Sequence, residues 1–411
     1  MNRAVLLVCL PVFGLMAGQQ MLNPILPPLA RQLGFSELAL GLVWTVGASG
    51  VVLTSPFWSR RAAARGHRPV LLLSLVGAAA ALLAFAVVAR IGLTGALAVP
   101  VVFALVLLTR GVLFGLAWAA TPVTAQSYVA DVTEGEAERV RGMSALGAAQ
   151  GLALAVGPAL GAALSAFGLL APLYAAPLVI AVIAVLVRVG LPAPAGHRAR
   201  PPAVAVSPFD RRMWPFLLTG FGMYLALGVV LMTIGFLVQD RLHLSAQDTG
   251  PTTGLVMLAG AGMIIVVQAA AVPRLRWAPP RLIRVGAVVM TAGMAVVAVA
   301  GTAPLLAAGL ALLGAGMGFG MPGFTAAPTL RAGPAEQGSV AALVGSTTAL
   351  TFMLGPLVGT GLYEIAPAAP YVLGVVLLAA LAAFTFLHPG VRPARAAVPG
   401  TAPSPGAVGH P

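Results

Sequence analysis

The chain has 411 residues, 59% of them hydrophobic and only 8% charged, with a mean hydropathy of +0.99 and a formal charge of +13. This excludes a soluble globular domain, in which roughly half the residues are apolar and about a quarter charged. A single cysteine, Cys9, excludes an intrachain disulfide and a cysteine-held metal cluster, and leaves the redox compartment open.

Apolar runs recur with short polar breaks, each long enough for the roughly 20 residues that cross a bilayer core. Twelve are read along the chain: 4–29, 38–58, 69–90, 98–128, 139–166, 168–190, 213–239, 248–271, 281–301, 304–328, 336–364 and 370–388. The first run continues through Pro28 and a second follows at once, so it reads as a span rather than a cleaved signal peptide. It carries Gln19, Gln20 and Asn23, a polar cluster, with Met16 one turn below Gln20.

All 23 basic residues are arginines. With the N-terminus inside, the outer loops hold only Arg31, Arg90 and Arg241, and Arg110 lies within the fourth span. The rest fall on the cytoplasmic side, as positive residues do in membrane proteins. The basic charge is therefore a topology signal, and no nucleic-acid partner is expected. Both termini are placed in the cytoplasm, in a bacterial inner membrane.

The loop after the second span reads "PFWSRRAAARGHRPVLL" (56–72), with Arg60, Arg61, Arg65, Gly66 and Arg68. The fourth span and its following loop read "RGVLFGLAWAATPVTAQSYVADVTEGEAERVRG" (110–142). Arg110, Phe114, Trp118 and Thr121 recur there at helical spacing, and Asp131, Glu138 and Arg139 follow. At 1.5 Å per residue, Arg110 lies about 27 Å and Gln20 about 24 Å from the inner ends of their spans, at similar depth. A charge so deep in a membrane is a functional hypothesis by default.

The fifth span carries "GLALAVGPALGA" (151–162), and Gly157-Pro158 with Gly161 is matched by Gly355-Pro356 with Gly359 in the eleventh. Small residues at this spacing let helix backbones approach closely in lipid, and a proline permits a bend. The segments "QLGFSELALG" (32–41) and "RLHLSAQDTG" (241–250) also share a leucine, a serine and a glycine at identical spacing. The chain thus divides into a six-span half at 1–190, a proline- and arginine-rich cytoplasmic linker at 191–212, and a second six-span half at 213–388. The tail at 389–411 has the composition of a disordered segment.

Two parallel six-span repeats with these motifs resemble the major facilitator superfamily. The fourth-span arginine, "YVADVT", "ERVRG" and the Gly-Pro motif of the fifth span are similar to its drug and tetracycline proton-antiporter exporters. Gly66, Arg68 and Pro69 match that family's second-to-third-loop signature. Ser59 and Ala63 stand where it usually has glycine and aspartate, and Gly115 falls five residues after Arg110 rather than the usual four.

The resemblance implies an all-α protein of twelve transmembrane helices in two pseudo-symmetric bundles. Spans one, four, seven and ten would line a cavity, adding Tyr224 and Met232 from span seven and Met317, Met321 and Phe324 from span ten. Arg60, Arg61, Arg65, Gly66, Arg68, Asp131, Glu138 and Arg139 would form a cytoplasmic gate. The Gly-Pro motifs would pack and bend the moving helices.

All ten carboxylates fall at span ends or in loops, so proton coupling would use Asp131, Asp240 or Glu364, or give way to substrate exchange. The five histidines are also placed outside the spans. No catalytic triad or nucleotide-binding glycine loop is visible, and neither an enzyme nor a cofactor is expected. The expected function is export of small amphipathic molecules by alternating access, coupled to protons, in a monomer. Two alternatives stay open: uptake or exchange of an anionic metabolite with Arg110 as counter-ion, and a non-transporting sensor or scaffold.

Overall fold

A backbone polar group left unpaired in lipid costs several kcal/mol, so an apolar run that enters a bilayer is driven to close its hydrogen bonds within itself. The computed structural model describes residues 3–133, 136–192, 205–333, 336–388 and 391, and all twelve runs are helices there. Spans one to six are Ala4–Leu22, Glu37–Arg65, His67–Leu93, Val99–Val132, Arg141–Ser165 and Ala171–Gly190. Spans seven to twelve are Trp214–Leu242, Ala246–Leu275, Pro279–Val299, Ala303–Thr329, Gln337–Ile365 and Ala369–Leu387. The linker at 193–204 and the tail beyond residue 391 lie outside the described residues.

The first run differs from its expectation as one uninterrupted element. It breaks after Leu22, turns through Asn23–Ile25 and resumes as the short helix Leu26–Gln32. Pro24 explains the break, since it has no N–H to donate and disfavours a helical residue before it. The short helix lies across the end of the bundle opposite the linker, hereafter the far end.

The repeated segments have one physical meaning in both halves. Ser36 caps span two by accepting the amide of Ala39 at 3.2 Å, and Ser245 caps span eight by accepting that of Asp248 at 3.1 Å. The glycines five residues on face the opposite half. A methyl on Gly41 would lie 2.9 Å from the Pro356 carbonyl oxygen on span eleven, and one on Gly250 would lie 2.9 Å from the Ser165 hydroxyl on span five. Spans two and eleven, and spans five and eight, are the seams between the two six-helix bundles. Spans one and seven are the most buried of the twelve.

Gly157 and Gly161 let span five lie on the backbone of span one at Ala17 and Met21, while Gly355 and Gly359 let span eleven lie on Gly228 and Val229 of span seven. Pro158 and Pro356 stand at matching places in these helices, and the carbonyl of each packs closely against a glycine of the opposite bundle, Gly254 and Gly41 respectively.

Candidate functional site

Span four is a π-helix over Leu107–Leu113, centred on Arg110, and such turns hold an extra residue and concentrate at functional sites. The wider turn absorbs the five-residue spacing from Arg110 to Gly115. Gly115 packs directly on Gly47 of span two, and Gly111 faces the Val43 carbonyl.

Arg110 itself is buried. Its Nη2 donates to Oε1 of Gln19 on span one at 3.0 Å. The guanidinium sits 4.6 Å from the ring centre of Phe114 and 4.8 Å from that of Trp44 on span two, so two π faces stabilise it in place of a counter-ion. Among the described residues no carboxylate lies within ion-pair distance of it. Gln20 accepts a hydrogen bond from Asn23 at 3.2 Å. Three buried polar atoms remain without a hydrogen bond: Arg110 Nε, Gln19 Nε2 and Asn23 Oδ1. Unsatisfied groups this deep cost about 1–3 kcal/mol each, and more when charged.

Met16 is half-buried on the same span, and Trp118 lies 5.9 Å from Phe114. Thr121 has a different role, because its hydroxyl is 2.7 Å from that of Ser74 and so ties span four to span three. In the C-terminal bundle, Tyr224 stands edge-on to Phe324 at 5.8 Å and to Phe352 of span eleven at 6.4 Å. Met232 and Met317 are buried, and the Met321 sulfur receives the amide of Gln268 at 3.4 Å. Aromatic and thioether groups of this kind adapt to varied apolar shapes.

The far end carries a charge network that joins the bundles. Arg31 makes a bidentate contact to Asp240 on span seven, pairs with Glu37 at 2.8 Å and lies 5.0 Å over the Phe236 ring. Tyr363 of span eleven donates to the same Asp240 at 2.7 Å, and Glu364 accepts the amide of Leu38 at 2.9 Å. The hydrogen bond to Asp240 is the largest influence raising the Arg31 guanidinium above its already high ordinary pKa. Thr45 on span two adds a bond to the Met353 carbonyl at 3.1 Å.

At the linker end, Asp131 faces His67, with 3.4 Å from Oδ2 to Nε2, rather than an arginine of the loop. His67 was expected outside the spans; it is the buried first residue of span three, and its ring also meets Ser127 and Tyr128 of span four. Arg61 lies over the ring of Phe57, Arg68 donates to the carbonyl of Arg188, and Arg60 and Arg65 do not enter any ion pair among the described residues. Gly66, at φ 86°, makes the left-handed turn between spans two and three that favours glycine. Glu138 is half-buried at the start of its helix, and the side chain of Arg139 lies outside the described residues.

Trp44, Arg31 and Tyr363 escaped the sequence reading as site residues, and Asp240 entered it only as a coupling candidate. A signal existed for Arg31. It is one of only three arginines placed in the outer loops, and it stands six residues before Glu37.

The described residues form twelve membrane-spanning helices in two bundles, with buried polar groups between them, the architecture of a multi-pass membrane protein. The Major Facilitator Superfamily profile matches residues 8–350, and the chain belongs to that superfamily. It is 28% identical over 373 residues to the class G tetracycline resistance protein of Vibrio anguillarum, covering 88% of this chain and 91% of that one. Identity to the class C tetracycline resistance protein of Escherichia coli is 26%, over 84% and 86% of the two chains. In fold it is similar to the crystal structure of a bacterial homologue of the human lysosomal transporter Spinster in an inward-facing, occupied conformation. The TM-score is 0.71 at 14% identity, covering 93% of this chain and 95% of that one.

Proposed function

We propose that this superfamily member exports small amphipathic molecules from the cytoplasm of a bacterial cell by alternating access, in exchange for protons. The observation that carries the reading is the box around Arg110: a buried cation held by two aromatic faces and one amide, with three polar atoms left to bind. An amphipathic ligand meets both demands, placing its polar groups on Arg110, Gln19 and Asn23 and its rings against Trp44 and Phe114. Similarity to tetracycline resistance proteins over most of the chain supports the same direction of transport.

The two bundles, 1–190 and 213–388, rock about the glycine seams. The linker and both termini are cytoplasmic, which makes the far end periplasmic. The Arg31–Asp240–Tyr363 contact then closes the periplasmic side, and Asp240 is the carboxylate placed to exchange a proton with that side. Protonation removes its charge and weakens the bond to Arg31, so proton entry favours opening outward. His67 and Asp131 tie span three to span four within the N-terminal bundle on the cytoplasmic side.

Expression in a host lacking its own exporters, challenged with tetracycline and a chemically varied panel, tests the reading. Raised resistance to amphipathic members is expected, and no change for any member at verified membrane expression would overturn it. A second reading, carriage of an organic anion, is favoured by one observation: no carboxylate neutralises Arg110 among the described residues. Preference for anions within the same panel would distinguish it.

A further inference from the structure

Spans three and six leave an elongated groove on the outside of the N-terminal bundle, with a volume of about 750 Å³. Small-molecule sites occupy roughly 300–1,000 Å³. Its floor is formed by small residues such as Ala79 and Ala184, and its rims by exposed Val76, Leu178 and Val185. Among the twelve residues lining it, Arg188 alone is charged. That residue stands two positions from the linker end of span six, and beside it Arg68 donates to its carbonyl oxygen. The Arg68 guanidinium is thus held against the backbone of Arg188, whose side chain lines one mouth of an otherwise apolar trough. The lining on span three runs from Leu72 to Leu83, about 16 Å at 1.5 Å per residue. One leaflet of a bilayer core, half of roughly 30 Å, has the same depth.

We propose that this groove is a binding site for an anionic phospholipid of the leaflet at the linker end. One acyl chain lies along the trough between spans three and six. The phosphate meets Arg188, with Arg68 adding positive potential behind it. The charge decides among occupants: a second copy of the chain would need an acidic group at this mouth, and a neutral lipid gains nothing from the arginines. The site lies outside the Arg110 box and does not depend on what the protein carries. Lipid held there would steady span six against span three within one bundle.

Delipidated full-length protein in detergent, titrated with phosphatidylglycerol or with phosphatidylcholine of the same acyl chains and read by native mass spectrometry, tests the site. Wild type should bind phosphatidylglycerol the more tightly. Arg188→Gln, at an exposed position, should cut that preference about fivefold, the worth of one arginine at a membrane surface. Arg90→Gln, exposed at the opposite end of span three, should leave it unchanged, and Ala181→Trp, which fills the trough, should weaken both lipids. Equal binding of the two lipids by wild type, or an unchanged preference in Arg188→Gln, would overturn the proposal. So would displacement of phosphatidylglycerol by tetracycline at the groove, which would assign it to substrate.

Discussion

Arg110 on span four and Gln19 on span one are joined by a 3.0 Å hydrogen bond in a part of the molecule where neither can reach water or a carboxylate among the described residues. Two helices of the same bundle that the transport account places around a ligand are thus linked through the group offered to that ligand. Arg110→Ala removes a charged hydrogen bond, worth about 1.5–3 kcal/mol, or about ten- to a hundredfold in an equilibrium. Transport per folded molecule should fall within that range. Arg110→Lys keeps the charge but loses the planar stack between Trp44 and Phe114, and should lie between. Full activity per molecule in Arg110→Ala would remove Arg110 from the binding site and leave it a tie between spans one and four.

The close packing of span five on span one makes a positional prediction. A methyl on Gly161 would fall 2.9 Å from the Met21 carbonyl carbon, backbone that cannot step aside, while one on Gly147 of the same span meets nothing within 4 Å. Gly161→Ala should cost about 1–3 kcal/mol, the usual toll of overpacking, and lower the thermal unfolding temperature in detergent. Gly147→Ala should not lower the unfolding temperature, since alanine favours a helix by about 0.5–1 kcal/mol where there is room for its methyl, and should leave transport unchanged. Equal effects of the two would mean that spans one and five are not in this close contact.

For the far end, Asp240→Asn leaves Arg31 with Glu37 but removes the charge that binds it to span seven. In a Cys9→Ser background, the only native thiol is gone and a cysteine placed at Thr45 reports on the seam. Its reaction with a membrane-impermeant maleimide added outside should speed up several-fold in Asp240→Asn and less in Tyr363→Phe, which leaves the ion pair intact. Unchanged labelling in Asp240→Asn would show that the pair does not hold this end closed.

A pH prediction concerns the linker end, where Arg212 pairs with Asp210 at 2.8 Å and with Glu336 at 3.1 Å. Hydrogen bonds from Arg212 hold both carboxyls below their ordinary values of about 3.9 and 4.3. A depressed carboxylate contributes stability above its unfolded value and loses it as pH falls through the folded one. Hydrogen exchange at 210–213 should therefore be the same at pH 7 and pH 5 once corrected for intrinsic rates, and Arg212→Ala should raise it at both. A protecting effect of Arg212 that vanishes between pH 7 and 5 would contradict the pairing.

Much of this was legible in the sequence because lipid imposes a simple code. Length and hydropathy located the spans, since a helix is the one local answer to a twenty-residue apolar run, and Gly157-Pro158 and Gly355-Pro356 marked the close packing of spans five and eleven on spans one and seven. A charge deep within a span drew attention to Arg110, and a polar cluster in an apolar run drew it to Gln19. What stayed hidden depends on contacts across long sequence separations. Nothing in the run around Trp44 shows that its ring meets Arg110, and Arg31 and Asp240, 209 positions apart, become partners only when the two bundles dock. The π turn at Leu107–Leu113 showed itself only as a motif one residue out of register. Thr121 followed the helical spacing of its neighbours, but the span is shared between two faces and its hydroxyl went to Ser74.

The central claim, proton-coupled export, is tested most directly in everted membrane vesicles given an inward-acid proton gradient, with uptake of labelled tetracycline or another panel member that gave resistance in cells. The account predicts accumulation that collapses when the gradient is dissipated and is strongly reduced in Arg110→Ala at equal folded protein. Wild-type transport indifferent to the gradient, or accumulation in Arg110→Ala equal to wild type, would contradict it.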